Sequence, residues 1–241
     1  MKKWGAFLAA CLIIVGPALG FAQTIEECPQ DLVDKIFEAY GGRERLESLR
    51  AYRMEGYVEG RMSGSRGGMY RTFSRPDCLK VVLDYPGKPE VRILDGETGW
   101  RSDPKGSVQA VEGFLLGSII LQAARANLPW ILQEKVEKCT LLVPMHQSRR
   151  APKILEFSLG EGLTVRVLVD PETNLVTRSQ GLMDIGGMKT YFETVFSDFR
   201  EVEGLLFPFH EENHASGFHT GTTTIDRVVI NPEIPEGSFC P

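Results

Sequence analysis

The sequence predicts an α+β fold: one large antiparallel sheet, wide enough to curl, with its helices grouped rather than alternating with strands. Two observations carry this. Roughly ten segments are rich in β-branched and aromatic residues, each bounded by turn chemistry. Helical periodicity is confined to two stretches, Pro29–Tyr40 and Val108–Lys135. With no linker or low-complexity tract between them, residues 23–241 are expected to form a single domain.

The elements follow in order. In Pro29–Tyr40, Leu32, Val33, Ile36, Phe37 and Tyr40 share a helical face, and Gly41-Gly42 stops the helix. Arg43–Leu49 adds a further turn. Strands are expected over Tyr52–Val58, Met69–Phe73, Leu79–Tyr85 and Glu90–Leu94. Asp95-Gly96-Glu97-Thr98-Gly99-Trp100 reads as a tight hairpin. Val108–Lys135 is helical and apolar on more than one face, and Pro129 divides it in two. Such helices are buried on two sides or cover something apolar. The remaining strands run through Leu141–Val143, Lys153–Leu159, Leu163–Val169, Leu175–Gly181, Lys189–Ser197, Gly204–Glu212 and Thr220–Ile230. The clearest turn among them is Asp170-Pro171-Glu172-Thr173-Asn174.

The N-terminus reads as an export signal. Met1-Lys2-Lys3 is basic, Trp4–Leu19 is apolar, and Gly20-Phe21-Ala22 supplies a small-x-small site, so cleavage after Ala22 is expected. Leu8-Ala9-Ala10-Cys11 resembles a lipoprotein cleavage box, but the apolar run before Cys11 is short, which disfavours lipidation there. No later stretch is long and apolar enough to span a bilayer. Removing Lys2 and Lys3 takes the net charge from −5 to −7. An acidic chain without a basic run argues against nucleic-acid binding and against docking on anionic lipid by charge. Cys28, Cys78, Cys139 and Cys240 match no metal-binding spacing, and an oxidising compartment favours two disulfides with three connectivities open. Cys28 and Cys240 bracket the folded region, suggesting Cys28–Cys240 and, with it, Cys78–Cys139.

One stretch spells a catalytic motif. His210-Glu211-Glu212-Asn213-His214 matches the H-E-x-x-H signature of zinc proteases, with Gly217 where the extended pattern wants a glycine. That chemistry requires a helix, which puts both imidazoles on one face. A strand holds them roughly 13 Å apart by rise alone. Pro208, the Ala215-Ser216-Gly217 turn and the β-branched run after Thr220 all favour a strand. A third ligand would fall at Thr220, whereas His219 comes one residue early. The remaining histidine, His146, lies in a polar loop. Neither a metal nor a cofactor is expected: there is no nucleophile elbow and no phosphate-binding loop. Cys139 near His146 reads as a disulfide partner rather than a thiol nucleophile. Glu201, Glu203, Glu211 and Glu212 read as a solvated strand edge rather than paired catalytic carboxylates.

Several motifs together resemble the LolA-like periplasmic lipoprotein-carrier superfamily, in particular outer-membrane lipoprotein-sorting proteins. They are Tyr40-Gly41-Gly42 followed by Leu46–Leu49, the Leu94–Trp100 hairpin, Val169-Asp170-Pro171-Glu172-Thr173, Phe199–Pro208 and Val229–Pro235. The resemblance spans nearly the whole chain after the signal. It implies an unclosed β-barrel with helices covering its concave face, and no enzymatic activity. It also implies a periplasmic carrier that takes lipid, or the acyl chains of lipoproteins, for outer-membrane sorting. Inner- and outer-membrane envelope proteins are the implied partners. Candidate cavity and lid residues are Trp100, Phe114, Leu115, Leu116, Ile119, Ile120, Trp130 and Ile131. Arg53 is the arginine considered for a lid-latching role, and four cysteines exceed what small carriers of this kind suggest. The competing readings are an envelope protein-binding or sensor module on the same fold and, last, a zinc hydrolase through His210, Glu211 and His214.

Overall fold

The computed structural model describes residues 23–241 except 62–63, 104 and 145–150. The expected signal sequence, Cys11 and His146 lie outside the described residues.

The first strand, β1 (Gln23–Glu27), leads into helices α1 (Gln30–Ala39) and α2 (Arg43–Ser48). Six strands follow: β2 (Ala51–Gly60), β3 (Arg66–Ser74), β4 (Cys78–Tyr85), β5 (Lys88–Asp95), β6 (Thr98–Ser102) and β7 (Val108–Val111). Helices α3 (Gly113–Ala126) and α4 (Ile131–Glu134) come next. The chain closes with β8 (Cys139–Pro144), β9 (Lys153–Gly160), β10 (Leu163–Val169), β11 (Val176–Ile185), β12 (Met188–Val202), β13 (Leu205–Ala215) and β14 (Phe218–Ile230).

All fourteen strands form one antiparallel sheet, ordered β1-β8-β9-β10-β11-β12-β13-β14-β2-β3-β4-β5-β6-β7. Neighbouring strands in the sheet are consecutive in the chain except where β14 meets β2 and where β1 adds beside β8. The end strands β1 and β7 do not pair, so the sheet curves without closing into a barrel.

Local chemistry explains most elements. In β10, Leu163, Val165, Val167 and Val169 are buried while the residues between them are half-buried, the period of a strand with one core face. Leu32, Val33, Ile36 and Phe37 give α1 its buried stripe. Ser216 and Gly217, at φ 48° and 84°, make the two-residue turn between β13 and β14. Gly41 has φ 119°, and a Cβ there would lie 2.0 Å from the Gly204 carbonyl oxygen, so α1 can end against the β12–β13 turn only with glycine.

Two expectations need correction. Val108–Val111 is a strand on the sheet edge, not the start of a helix, because its β-branched residues pair with β6 before the left-handed Gly113 opens α3. The disulfide joins Cys28 to Cys139, 111 residues apart, and Cys78 and Cys240 are free thiols. Antiparallel pairing of β1 with β8 brings Cys28 beside Cys139, where its N–H donates to the Cys139 carbonyl at 3.3 Å. The termini are therefore not clasped together.

One continuous core fills the concave side, under α1, α3 and α4. Tyr52 stands at its centre, against Phe73, Phe207 and Trp130 with ring centroids 5.6, 5.7 and 6.5 Å away. Its hydroxyl donates to the Ala126 carbonyl at 2.7 Å, and Trp130 Nε1 donates to the Leu46 carbonyl at 2.6 Å. The first bond ties the C-terminal end of α3 to β2, and the second ties the start of α4 to α2.

Candidate functional site

Helix α3 crosses the concave face, packing on β10 and β11 on one side and on β4, β5 and β6 on the other. Between the helix and the sheet lies a cavity of about 430 Å³. That is within the roughly 300–1,000 Å³ range of small-molecule sites. The helix contributes Phe114, Leu115, Ser118, Leu121, Gln122 and Arg125, which recur at i+3 and i+4 along one stripe. Inward-facing Met69, Val81, Leu83, Val165 and Phe192 supply apolar wall from four strands, β3, β4, β10 and β12.

The floor is polar. Arg71 on β3 and Glu211 on β13 are 5% and 2% exposed. They form a bidentate pair, with Nη1 to Oε1 at 2.7 Å and Nη2 to Oε2 at 2.8 Å. Burial alone would raise the Glu211 carboxyl pKa, but the Arg71 charge and hydrogen bonds outweigh it and hold the carboxyl well below its ordinary range. The same pairing raises Arg71 against the effect of its own burial.

Arg125, from α3, forms no ion pair among the described residues. Its Nη1 donates to Thr194 Oγ1 at 2.6 Å and to Asn213 Oδ1 at 3.1 Å, both neutral acceptors. Burial, helped by the Arg71 and Arg92 charges, outweighs the opposing pull of Glu211 and lowers its pKa to about 10. Asn213 precedes a register shift in β13, and this bulge lets the adjacent Asn213 and His214 both line the cavity. At another part of the wall Glu90 accepts from Arg92 at 2.8 Å and Arg101 at 2.6 Å, while Arg92 Nη1 donates to Gln122 at 3.2 Å.

Of the residues proposed from sequence, Phe114 and Leu115 line this cavity, and Leu115 is 41% exposed. Ile119, Trp130 and Ile131 are buried in the core, where Trp130 borders a second, much smaller cavity. Leu116 and Ile120 are half-buried against the core, and Leu116 covers Gly99. Trp100 is half-buried on β6 beside Ile93 and Ala110, away from the cavity. Arg53 reaches the Glu233 carbonyl in the C-terminal tail rather than a helix.

The H-E-x-x-H stretch lies on β13, as its flanking residues predict. His210 and His214 do not converge, and Glu211 is committed to Arg71, so the zinc-site geometry is not built. Reading Glu211 as part of a solvated edge needs correction: Phe207, Phe209 and Glu211 alternate inward together. Sequence reasoning also passed over Arg71 and Arg125. The available signals were Arg71 set between Met69 and Phe73 at strand period, and Arg125 as the one charged residue of Gly113–Ala126.

No family model matches the sequence, and no curated protein matches it. Solved structures do match. A domain from Vibrio parahaemolyticus named for outer membrane lipoprotein sorting superposes with TM-score 0.53 at 11% identity, covering 87% of this chain and 95% of that one. A DUF1329 family protein from Desulfovibrio piger gives TM-score 0.52 at 10% identity, over 87% and 95%. A LolA superfamily protein from Nitrosomonas europaea gives 0.53 at 12%, over 88% and 97%. At such identities the likeness is one of fold, and this chain has the LolA-like fold.

Proposed function

We propose that the protein is an exported, non-enzymatic carrier that binds lipid, or the acyl chains of lipoproteins, between α3 and the curved sheet. The observation behind this reading is the cavity itself, walled by α3 and by inward side chains of the sheet. Burial is favourable by about 0.8 kcal/mol per methylene, so a few methylenes suffice for a reversible hold. Similarity in fold to a domain named for lipoprotein sorting supports the same reading. Among the described residues no helix is long and apolar enough to cross a membrane. The carrier reading places the chain from residue 23 in the periplasm as a single domain, with cleavage after Ala22. It gives the protein inner- and outer-membrane envelope partners for loading and unloading.

The test is native mass spectrometry and lipid extraction of the chain from residue 23, together with uptake of a fluorescent fatty acid. Co-purified lipid or saturable uptake is expected. If there is neither, the carrier reading fails.

A further inference from the structure

The cavity is not uniformly greasy, and its charges do not cancel. Four arginines line it, Arg71, Arg92, Arg101 and Arg125, against the two glutamates Glu90 and Glu193. Glu211, behind the floor, neutralises Arg71. Glu90 is shared by Arg92 and Arg101. Glu193 is engaged with Arg178 and Gln180. Arg125 is left with no ion pair among the described residues.

Unmet hydrogen-bonding capacity gathers at the same place. Among the described residues five buried side-chain polar atoms have no partner, and three belong to cavity residues: Arg71 Nε, Arg125 Nε and His214 Nδ1. Orphaned buried donors are costly, and an uncompensated buried cation costs more. A core built only for packing would place an apolar side chain at position 125. Thr194 and Asn213 orient the guanidinium without neutralising it.

We propose that Arg125 is a docking point for an anionic headgroup, so that the cargo is an acidic single- or double-chain amphiphile whose carboxylate or phosphate oxygen meets the guanidinium. This rests on the carrier reading and narrows it. The apolar wall of Met69, Val81, Leu83, Phe114 and Val165 takes the chain, and the Arg125, Asn213 and His214 corner takes the head. A neutral amphiphile would leave the guanidinium unpaired and bind more weakly.

Equilibrium binding of a fluorescent fatty acid to the chain from residue 23 is compared with that of its methyl ester at neutral pH. The acid is expected to bind at least about tenfold tighter, the scale of one charge-assisted hydrogen bond. Arg125→Met should erase the preference while still binding the ester. Asn213→Asp, which supplies an internal carboxylate beside Arg125, should erase it too and serves if the first variant does not fold. Displacement of the probe by unlabelled fatty acid, or by lysophosphatidylglycerol, supports the proposal and tells a free carboxylate from a lipid phosphate. Equal displacement by a neutral monoacylglycerol overturns it. Equal binding of acid and ester also overturns the headgroup site but leaves the carrier reading standing, whereas binding of neither removes both.

Discussion

Arg71 and Glu211 meet in a bidentate ion pair although their strands, β3 and β13, are three places apart in the sheet. Measured along the sheet, that separation is roughly 14 Å. Direct contact across it shows how sharply the concave face curves between β13 and β3. The pair spans the base of the cavity and links strands formed by distant parts of the sequence.

Breaking that pair from one side should be severe. Arg71→Met or Glu211→Leu leaves a buried charge without its partner, and a loss of about 3–5 kcal/mol is expected by urea unfolding. The double variant, which removes both charges, should lose less than either single one. Losses that simply add would mean the two residues do not act as a pair.

The depressed Glu211 carboxyl has a pH signature. A carboxylate whose folded pKa lies below its unfolded value stabilises the fold above the unfolded value and loses that contribution as pH falls towards the folded one. Stability should therefore be level from pH 7 to about 5 and fall below about 4.5. In the Arg71→Met/Glu211→Leu variant the fall should be shallower, measured as the unfolding midpoint against pH.

Arg125→Met should leave thermal stability unchanged or raise it, because it removes a cation with no ion pair among the described residues, whose burial outweighs the pull of the Glu211 charge. A marked drop in melting temperature would show that its bonds to Thr194 and Asn213 hold α3 in place more firmly than its burial loosens it.

The cysteines can be separated chemically. Cys28→Ala opens the link across 111 residues and should cost about 2–5 kcal/mol. In the native protein Cys240, which is exposed, should react with a maleimide first. Cys78 should lag, because burial and then the neighbouring Asp95 push its thiol pKa up to about 11.

Filling the cavity should block uptake without unfolding the protein. Ser118→Trp places a large ring where α3 lines the space. Fatty-acid uptake should fall below detection while the urea midpoint changes little, and unimpaired uptake would move the binding site elsewhere.

The sequence by itself determined the hairpins, the α+β class and the placing of the H-E-x-x-H stretch on a strand. Those features rest on short-range physics: a period of two, left-handed turn residues such as Gly96 and Gly217, and the proline at 208. It also marked α3 as a helix with more apolar surface than an ordinary exposed helix needs. Only the tertiary structure decided that Cys28 pairs with Cys139, because that follows from β1 adding to the far edge beside β8. It decided, too, that Glu211 is buried against Arg71 and that Arg125 is held by Thr194 and Asn213, with no ion pair among the described residues. Partners across a concave face are selected by the curvature summed over the intervening strands, and no window of sequence short enough to read for periodicity contains that sum.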